Sequence, residues 1–320
     1  MRTGVNPGAD TMRLVRLLLM VALVGSSLTV CAADKKIILI AGNPSHGPGE
    51  HEFRAGCLLL KHCLDNLGDI NSVVCSNGWP ADVTAFEGVN AVLIYADGGA
   101  AHPAIQADHA RVLGELVKKG VGLGCAHYGV EVPRTNGGPL FLDWIGGYYE
   151  HQFSVNPMWS PEFTFFPDHL ITRGVKPFSV RDEWYFNIRF RPVTEEIDAS
   201  LDGAVKSRPP GIIPILVAKP SDATRKGPYV APHGPYAHIL AATGRAETMM
   251  WAFTRPDGGR GFGFTGGHFH ANWGNDDFRQ LVLNALLWSA KAEVPPGGVQ
   301  SAITPTELAA NLDVKELRKP

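Results

Sequence analysis

The chain has 320 residues, a formal charge of −2, 45% hydrophobic and 19% charged residues, which is the usage of a folded globular protein and not of a disordered or coiled-coil one. No Lys/Arg-rich run supplies the electrostatic footprint of phosphate-backbone binding, which argues against a nucleic-acid partner. Five Cys are too few for a disulfide scaffold, and 36 Gly with 24 Pro, lying mostly between apolar runs, suggest long loops on an α/β scaffold.

Residues 1–32 read as a signal peptide. Arg13 and Arg16 precede the apolar run Leu17 to Val24, and Val30-Cys31-Ala32 offers small residues in the manner of a signal peptidase site, so the mature chain is expected to start near Ala33. Lipidation at Cys31 is the less favoured reading, because Val30 is bulkier than the Gly or Ala usual before a lipidated Cys. The expected location is secreted or periplasmic. No later segment approaches the ~20 unbroken apolar residues of a membrane span. Cys57 and Cys63 fall on different faces of one predicted helix and cannot bridge each other there; pairing with Cys75 or Cys125 stays open.

From residue 33 to 293 the pattern is that of one α/β domain. Ile37 to Gly42 is a continuous apolar run, the form of a strand buried on both faces. Helical spacing follows from Glu52 to Leu67, with Phe53, Cys57, Leu60 and Leu64 as the apolar stripe. Strands are predicted at Ser72 to Cys75 and Ala91 to Ala96, a helix at Ala104 to Lys119, and a strand at Val121 to Ala126. This order implies right-handed crossovers and a largely parallel sheet, whose ligands sit at the carboxyl ends of the strands. The second half reads as strands at Glu150 to Val155, Trp184 to Phe190, Ile212 to Ala218, Thr248 to Thr254 and Gly261 to Thr265, then a helix from Asp276 to Ala290. Residues 294–320 read as a tail on or off the domain.

Polar residues gather at the predicted strand ends. The loop after the first strand carries His46, Glu50, His51 and Glu52; Gly98-Gly99 and His102 follow the third strand, His127 follows the fourth, and a late strand runs into Gly266-Gly267-His268-Phe269-His270. Any one of these could be a solvated turn, but together they mark a crevice. There is no P-loop ending and no Gly-x-Gly-x-x-Gly fingerprint, so no nucleotide cofactor is expected. The 12 His include no His-Glu-x-x-His motif or Cys-x-x-Cys pair, so a divalent metal, left open here, would have to be assembled from distant segments.

The segments Gly124-Cys125-Ala126-His127, His169 to Gly174, Asp182-Glu183-Trp184-Tyr185 and Gly267-His268, with Asn284 and Trp288 in the last helix, resemble the trehalose-utilisation (ThuA-like) family. The resemblance spans roughly Lys36 to Ala290. It implies the flavodoxin-like fold of the class I glutamine amidotransferase-like superfamily, a mostly parallel sheet flanked by helices, here with long insertions in the second half. The long loop His46 to Glu52 departs from the shorter loop of the typical member. Superfamily amidotransferases carry a nucleophilic Cys on a strand-to-helix elbow, but Cys125-Ala126-His127-Tyr128-Gly129 puts His127 at the apex, and Cys125 reads as the buried end of a strand.

The family's link to disaccharides and oxidised keto-glycosides implies a carbohydrate substrate and glycoside cleavage or rearrangement by a hydrolase or lyase. Imidazole and carboxylate groups suit acid/base chemistry, with His127, Glu183 and His268 as the catalytic candidates. His46, His51, Glu52, His151, Asp182 and His270 are the candidates for binding substrate, with His46, His51 and His151 equally able to ligate a metal. Strand alternation puts Asp182 and Glu183 on opposite faces, leaving Glu183 to enter the site, while His268 and His270 share a face if the strand continues. Two alternatives stand beside this reading. One is a noncatalytic sugar-binding module that stacks rings on Trp159, Trp184, Tyr185 or Trp273; the other is a Cys-dependent amidotransferase-like or peptidase-like hydrolase.

Overall fold

The computed structural model describes residues 1, 3, 34–192 and 211–316. The segment from Arg13 to Ala33 that carries the signal-peptide expectation lies outside the described residues. Strand β1 (Lys35–Ala41) pairs in parallel with β2 (Ile70–Cys75) on one side and β3 (Val89–Tyr95) on the other. Its unbroken apolar run has a direct cause: Ile37 and Leu39 enter the core on one face of the sheet, and Ile38 and Ile40 enter the core on the other. Helix α1 (Phe53–Asp65) buries the expected stripe of Phe53, Cys57, Leu60 and Leu64 on the first of these faces. Helix α2 (His109–Lys118) is shorter than its pattern, because Ala107 adopts φ 45° and Pro103–Ile105 closes a separate 3-10 turn.

Strand β4 (Gly122–Ala126) and helix α3 (Gly138–Trp144) follow, then β5 (Ile212–Ala218), β6 (Glu247–Thr254), β7 (Arg260–Phe264) and helix α4 (Asp276–Ser289). The 7-stranded sheet has the order β5-β6-β7-β4-β3-β1-β2, parallel from β7 to β2 and antiparallel at β5, β6 and β7. The run β2-β1-β3-β4 is the flavodoxin-like order, with its switch of direction between β1 and β3. Asn275 caps α4 by accepting from the Phe278 amide at 2.9 Å, and nearly every side chain of that helix is buried.

Residues 145–192 are less regular than their pattern suggests. The expected strand Glu150 to Val155 is a turn, because the Glu150 amide donates to Ser154 Oγ and Gln152 sits at φ 63°. The expected strand Trp184 to Phe190 breaks at Asn187, which adopts φ 55°, and only Arg189–Phe190 remains a strand, paired with Gly147–Tyr148. Asp182–Glu183 pairs instead with Met158–Trp159. The segment after Val294 lies on the domain: Val294 and Val299 are buried, and the Val299 amide donates to Asn284 Oδ1. It carries a short helix, α5 (Pro305–Leu308). The four described cysteines, Cys57, Cys63, Cys75 and Cys125, are all free. Among the described residues no helix is long and apolar enough to cross a membrane.

Candidate metal centre

Three loops at the carboxyl ends of parallel strands meet over the sheet: the one after β1 with His51, the one after β4 with His127, and the one after β7 with His268. The first and last are zipped together by backbone. The His51 amide donates to the His268 carbonyl and the His270 amide to the Gly49 carbonyl, both at 2.9 Å, around an antiparallel bridge between Glu50 and Phe269. His127 adopts φ 51° directly after β4, a conformation costly for a non-glycine residue, and so stands at the apex of a sharp elbow. Gly98 lets the loop after β3 close against that elbow, since a Cβ there would lie 2.1 Å from the Tyr128 carbonyl oxygen.

The result is a cluster of four buried side chains. His51 Nε2 lies 3.0 Å from His127 Nε2 and 3.1 Å from His268 Nδ1. Glu183 Oε2 lies 3.0 Å from His268 Nδ1 and 3.5 Å from His127 Nε2. All four donor atoms fall within 4.8 Å of one another. Second partners orient the rings. His51 Nδ1 donates to Asp97 Oδ1 at 2.9 Å, and His127 Nδ1 donates to the Thr265 carbonyl at 3.1 Å, so the Nε2 atoms of both carry lone pairs directed at the same point. Asn156 donates to Glu183 Oε1 at 2.8 Å and leaves Oε2 for the centre.

Two imidazole lone pairs 3.0 Å apart repel unless a proton or cation lies between them. A tetrahedral ion with N/O ligands at ~2.0–2.1 Å separates its donors by roughly 3.3 Å, close to the spacing found. Three buried imidazoles and one buried carboxylate, with His51, His127 and Glu183 each held by a further hydrogen bond, therefore fit a first-row divalent cation. The electrostatics favour the ligating neutral ring at His127 and a proton at His268. Burial, reinforced by His51 and His268, holds His127 well below the usual imidazole range, in the neutral form that ligates. Burial opposes the charged form of His268, but the hydrogen bond and charge of Glu183 outweigh it and raise its pKa.

Of the other sequence candidates, His46 stacks on His51 with ring centroids 3.5 Å apart, at the outer side of the cluster beside Asp97. The remaining binding candidates lie outside the four-residue cluster. His151 is exposed in the turn after Glu150, and no hydrogen bond, ion pair or ring contact joins it to the cluster, because the expected strand there is a turn. Asp182 is fully buried and spends its oxygens on the Gly267, His268 and Glu183 amides and on Asn272, so it shapes the turn that carries His268. His268 and His270 do not share a face, since the chain enters a 3-10 turn at His270, whose Nε2 donates to the Leu308 carbonyl at 2.8 Å. Glu52 is buried against Gly49, Asp313 and Lys315. Trp184 and Trp273 are fully buried and Tyr185 nearly so, which removes them as exposed sugar platforms. Cys125 is fully buried and its thiol pKa is pushed up by burial, the reverse of an activated nucleophile.

Sequence reasoning missed Asp97, Asn156 and Glu131. Asp97 directly precedes the Gly98-Gly99 pair at the end of β3, so the strand-end rule that found His127 also reaches it. Glu131 is four residues past His127, after a 3-10 turn that no periodicity marks. Burial, then the nearby charge of Glu183, raises its carboxyl to about 7, and it has no hydrogen-bond or ion-pair partner among the described residues. Its charge also acts on Tyr128, Tyr149 and Tyr185, and the buried Tyr149 hydroxyl has no hydrogen-bond partner among the described residues.

A family model described as ThuA, trehalose utilisation, matches residues 81–289. The chain belongs to this family. His127, Glu183 and His268 lie inside the matched range, and His51 precedes it. A ThuA-like protein from Parabacteroides merdae ATCC 43184 shares the fold at 15% identity and TM-score 0.50, over 85% of this chain and 94% of that one. Another, from Bacteroides uniformis ATCC 8492, does so at 13% identity and TM-score 0.51, over 81% of this chain and 92% of that one. No curated protein matches the chain.

Proposed function

We propose that this ThuA-family protein is an exported carbohydrate-processing enzyme that cleaves or rearranges disaccharides or their keto-glycosides at a divalent-cation centre formed by His51, His127, Glu183 and His268. The observation that supports it is the convergence of three imidazole nitrogens and one carboxylate oxygen within 4.8 Å, with Asp97 and the Thr265 carbonyl setting two of the ring tautomers. Such a cation, when bound, polarises a carbonyl or hydroxyl oxygen of the substrate.

In this reading His127 and Glu183 ligate, and the proton-transfer role moves to Glu131. Its raised carboxyl can hold or release a proton near neutral pH, as a general acid or base must. The carbohydrate substrate rests on family membership.

Metal analysis of the purified protein, followed by activity screening on native and 3-keto disaccharides with and without chelator, tests the reading. About one equivalent of a first-row cation and chelator-sensitive turnover are expected. A metal-free protein whose turnover ignores both chelator and added Zn²⁺ or Mn²⁺ would refute the centre. Sugar binding without turnover on any glycoside would favour the noncatalytic module. Export is checked by fractionating a Gram-negative host, where a periplasmic product beginning near Ala33 is expected and uncleaved cytosolic chain would sink it.

A further inference from the structure

Glu52, the residue after His51, is 1% exposed, and a carboxylate buried that deeply needs compensation. It comes from the far end of the chain. Lys315 Nζ lies 3.2 Å from Glu52 Oε1, and the Asp313 amide donates to Glu52 Oε2 at 2.8 Å. The Lys315 ammonium also donates to the carbonyl of Glu50, and to that of His51 at 3.3 Å. All three of its donors are thus directed at residues 50–52.

The segment that delivers Lys315 is itself anchored. Arg279 bonds Ser301, a capping box of Thr304 and Glu307 starts α5, the Leu308 carbonyl accepts from His270, and Asp313 pairs with Arg54 at 3.1 Å. His51, whose carbonyl accepts from Lys315, sits at φ 46°, a left-handed conformation that persists in a bulky residue only where its surroundings over-determine it.

From this geometry we infer that residues 312–316 act as a latch on the ligand loop, and that Lys315 is a positioning residue which holds His51 in the conformation that ligates the cation. This rests on the metal centre proposed above. Lys315 touches neither cation nor substrate; it acts through the Glu50 and His51 carbonyls and through Glu52.

The test compares the full-length wild type with Lys315→Met, Lys315→Arg and the double variant Glu52→Gln/Lys315→Met, which removes the stranded carboxylate. Zn²⁺ affinity by chelator competition, thermal midpoint and amide exchange over residues 47–52 are measured on each. Lys315→Met is expected to bind Zn²⁺ about 10–100-fold more weakly, the usual effect of losing an outer-shell partner, and to exchange faster at 47–52. The double variant should recover thermal stability without recovering affinity, and Lys315→Arg should recover part of the affinity. Zn²⁺ binding by the double variant within twofold of a tight wild type, with exchange unchanged, overturns the latch alone. Equally weak Zn²⁺ binding by wild type and His127→Ala overturns the metal centre and this role of Lys315 with it.

Discussion

His51 Nδ1 lies 2.9 Å from Asp97 Oδ1, and that contact joins the end of β3 to the loop after β1 across the point where the strand order reverses. It decides which nitrogen of His51 faces the centre. Replacing Asp97 with Asn should leave the fold intact and lower Zn²⁺ affinity about 10–100-fold, as loss of an outer-shell carboxylate does. Chelator competition at fixed pH reads this directly, and an affinity equal to wild type would contradict the assigned tautomer.

The elbow after β4 separates His127 from Cys125. His127→Ala should abolish stoichiometric metal and most turnover with little loss of folding. Cys125→Ser should keep both, at a cost of about 1–3 kcal/mol for a buried hydroxyl without a partner. Metal content and urea denaturation of the two variants check it. A dead but stable Cys125→Ser, with His127→Ala merely impaired, would restore the Cys-nucleophile alternative.

Glu131 should appear in the pH dependence of turnover. With its carboxyl raised to about 7 by burial and by Glu183, a general base loses activity as pH falls through that value. Glu131→Gln should lower kcat by ~10²–10⁴-fold and remove that acidic limb, while bound metal stays at wild-type level. An unchanged limb in the Gln variant would assign it to another group.

His102 predicts an acid limb in stability. It is fully buried, its Nε2 donates to the Gly129 carbonyl at 2.9 Å, and its Nδ1 accepts from the Ala104 amide at 3.0 Å, a pattern only the neutral ring can make. Burial lowers its pKa from 6.5 to about 4. Below the unfolded value the unfolded chain binds the extra proton, so the contribution is complete above pH ~6.5 and is lost as pH falls toward ~4, about 3 kcal/mol in all. Urea denaturation between pH 4.5 and 7.5 should show this loss, and His102→Leu, though less stable throughout, should flatten it. Parallel wild-type and variant curves would count against the assignment.

Much of the fold was legible in the chain because its causes are local. Apolar runs such as Ile37 to Ala41 are unbroken because helices cover both faces of the sheet, and α1 shows its stripe at helical spacing. The strand-end rule likewise marks His51, His127 and His268 from the sequence alone. Tertiary structure decided what those residues do. Which histidines meet depends on backbone pairing between loops far apart in sequence, as in the His51 amide on the His268 carbonyl, and no periodicity records such a bond. The same holds for Glu183, brought to the centre by pairing with Met158, and for His270, turned away by a 3-10 turn. Burial is equally non-local. Asp182 and Glu183 are adjacent carboxylates, yet one is consumed by backbone amides and the other is left one oxygen free for the cluster, a division set by what packs against each side chain.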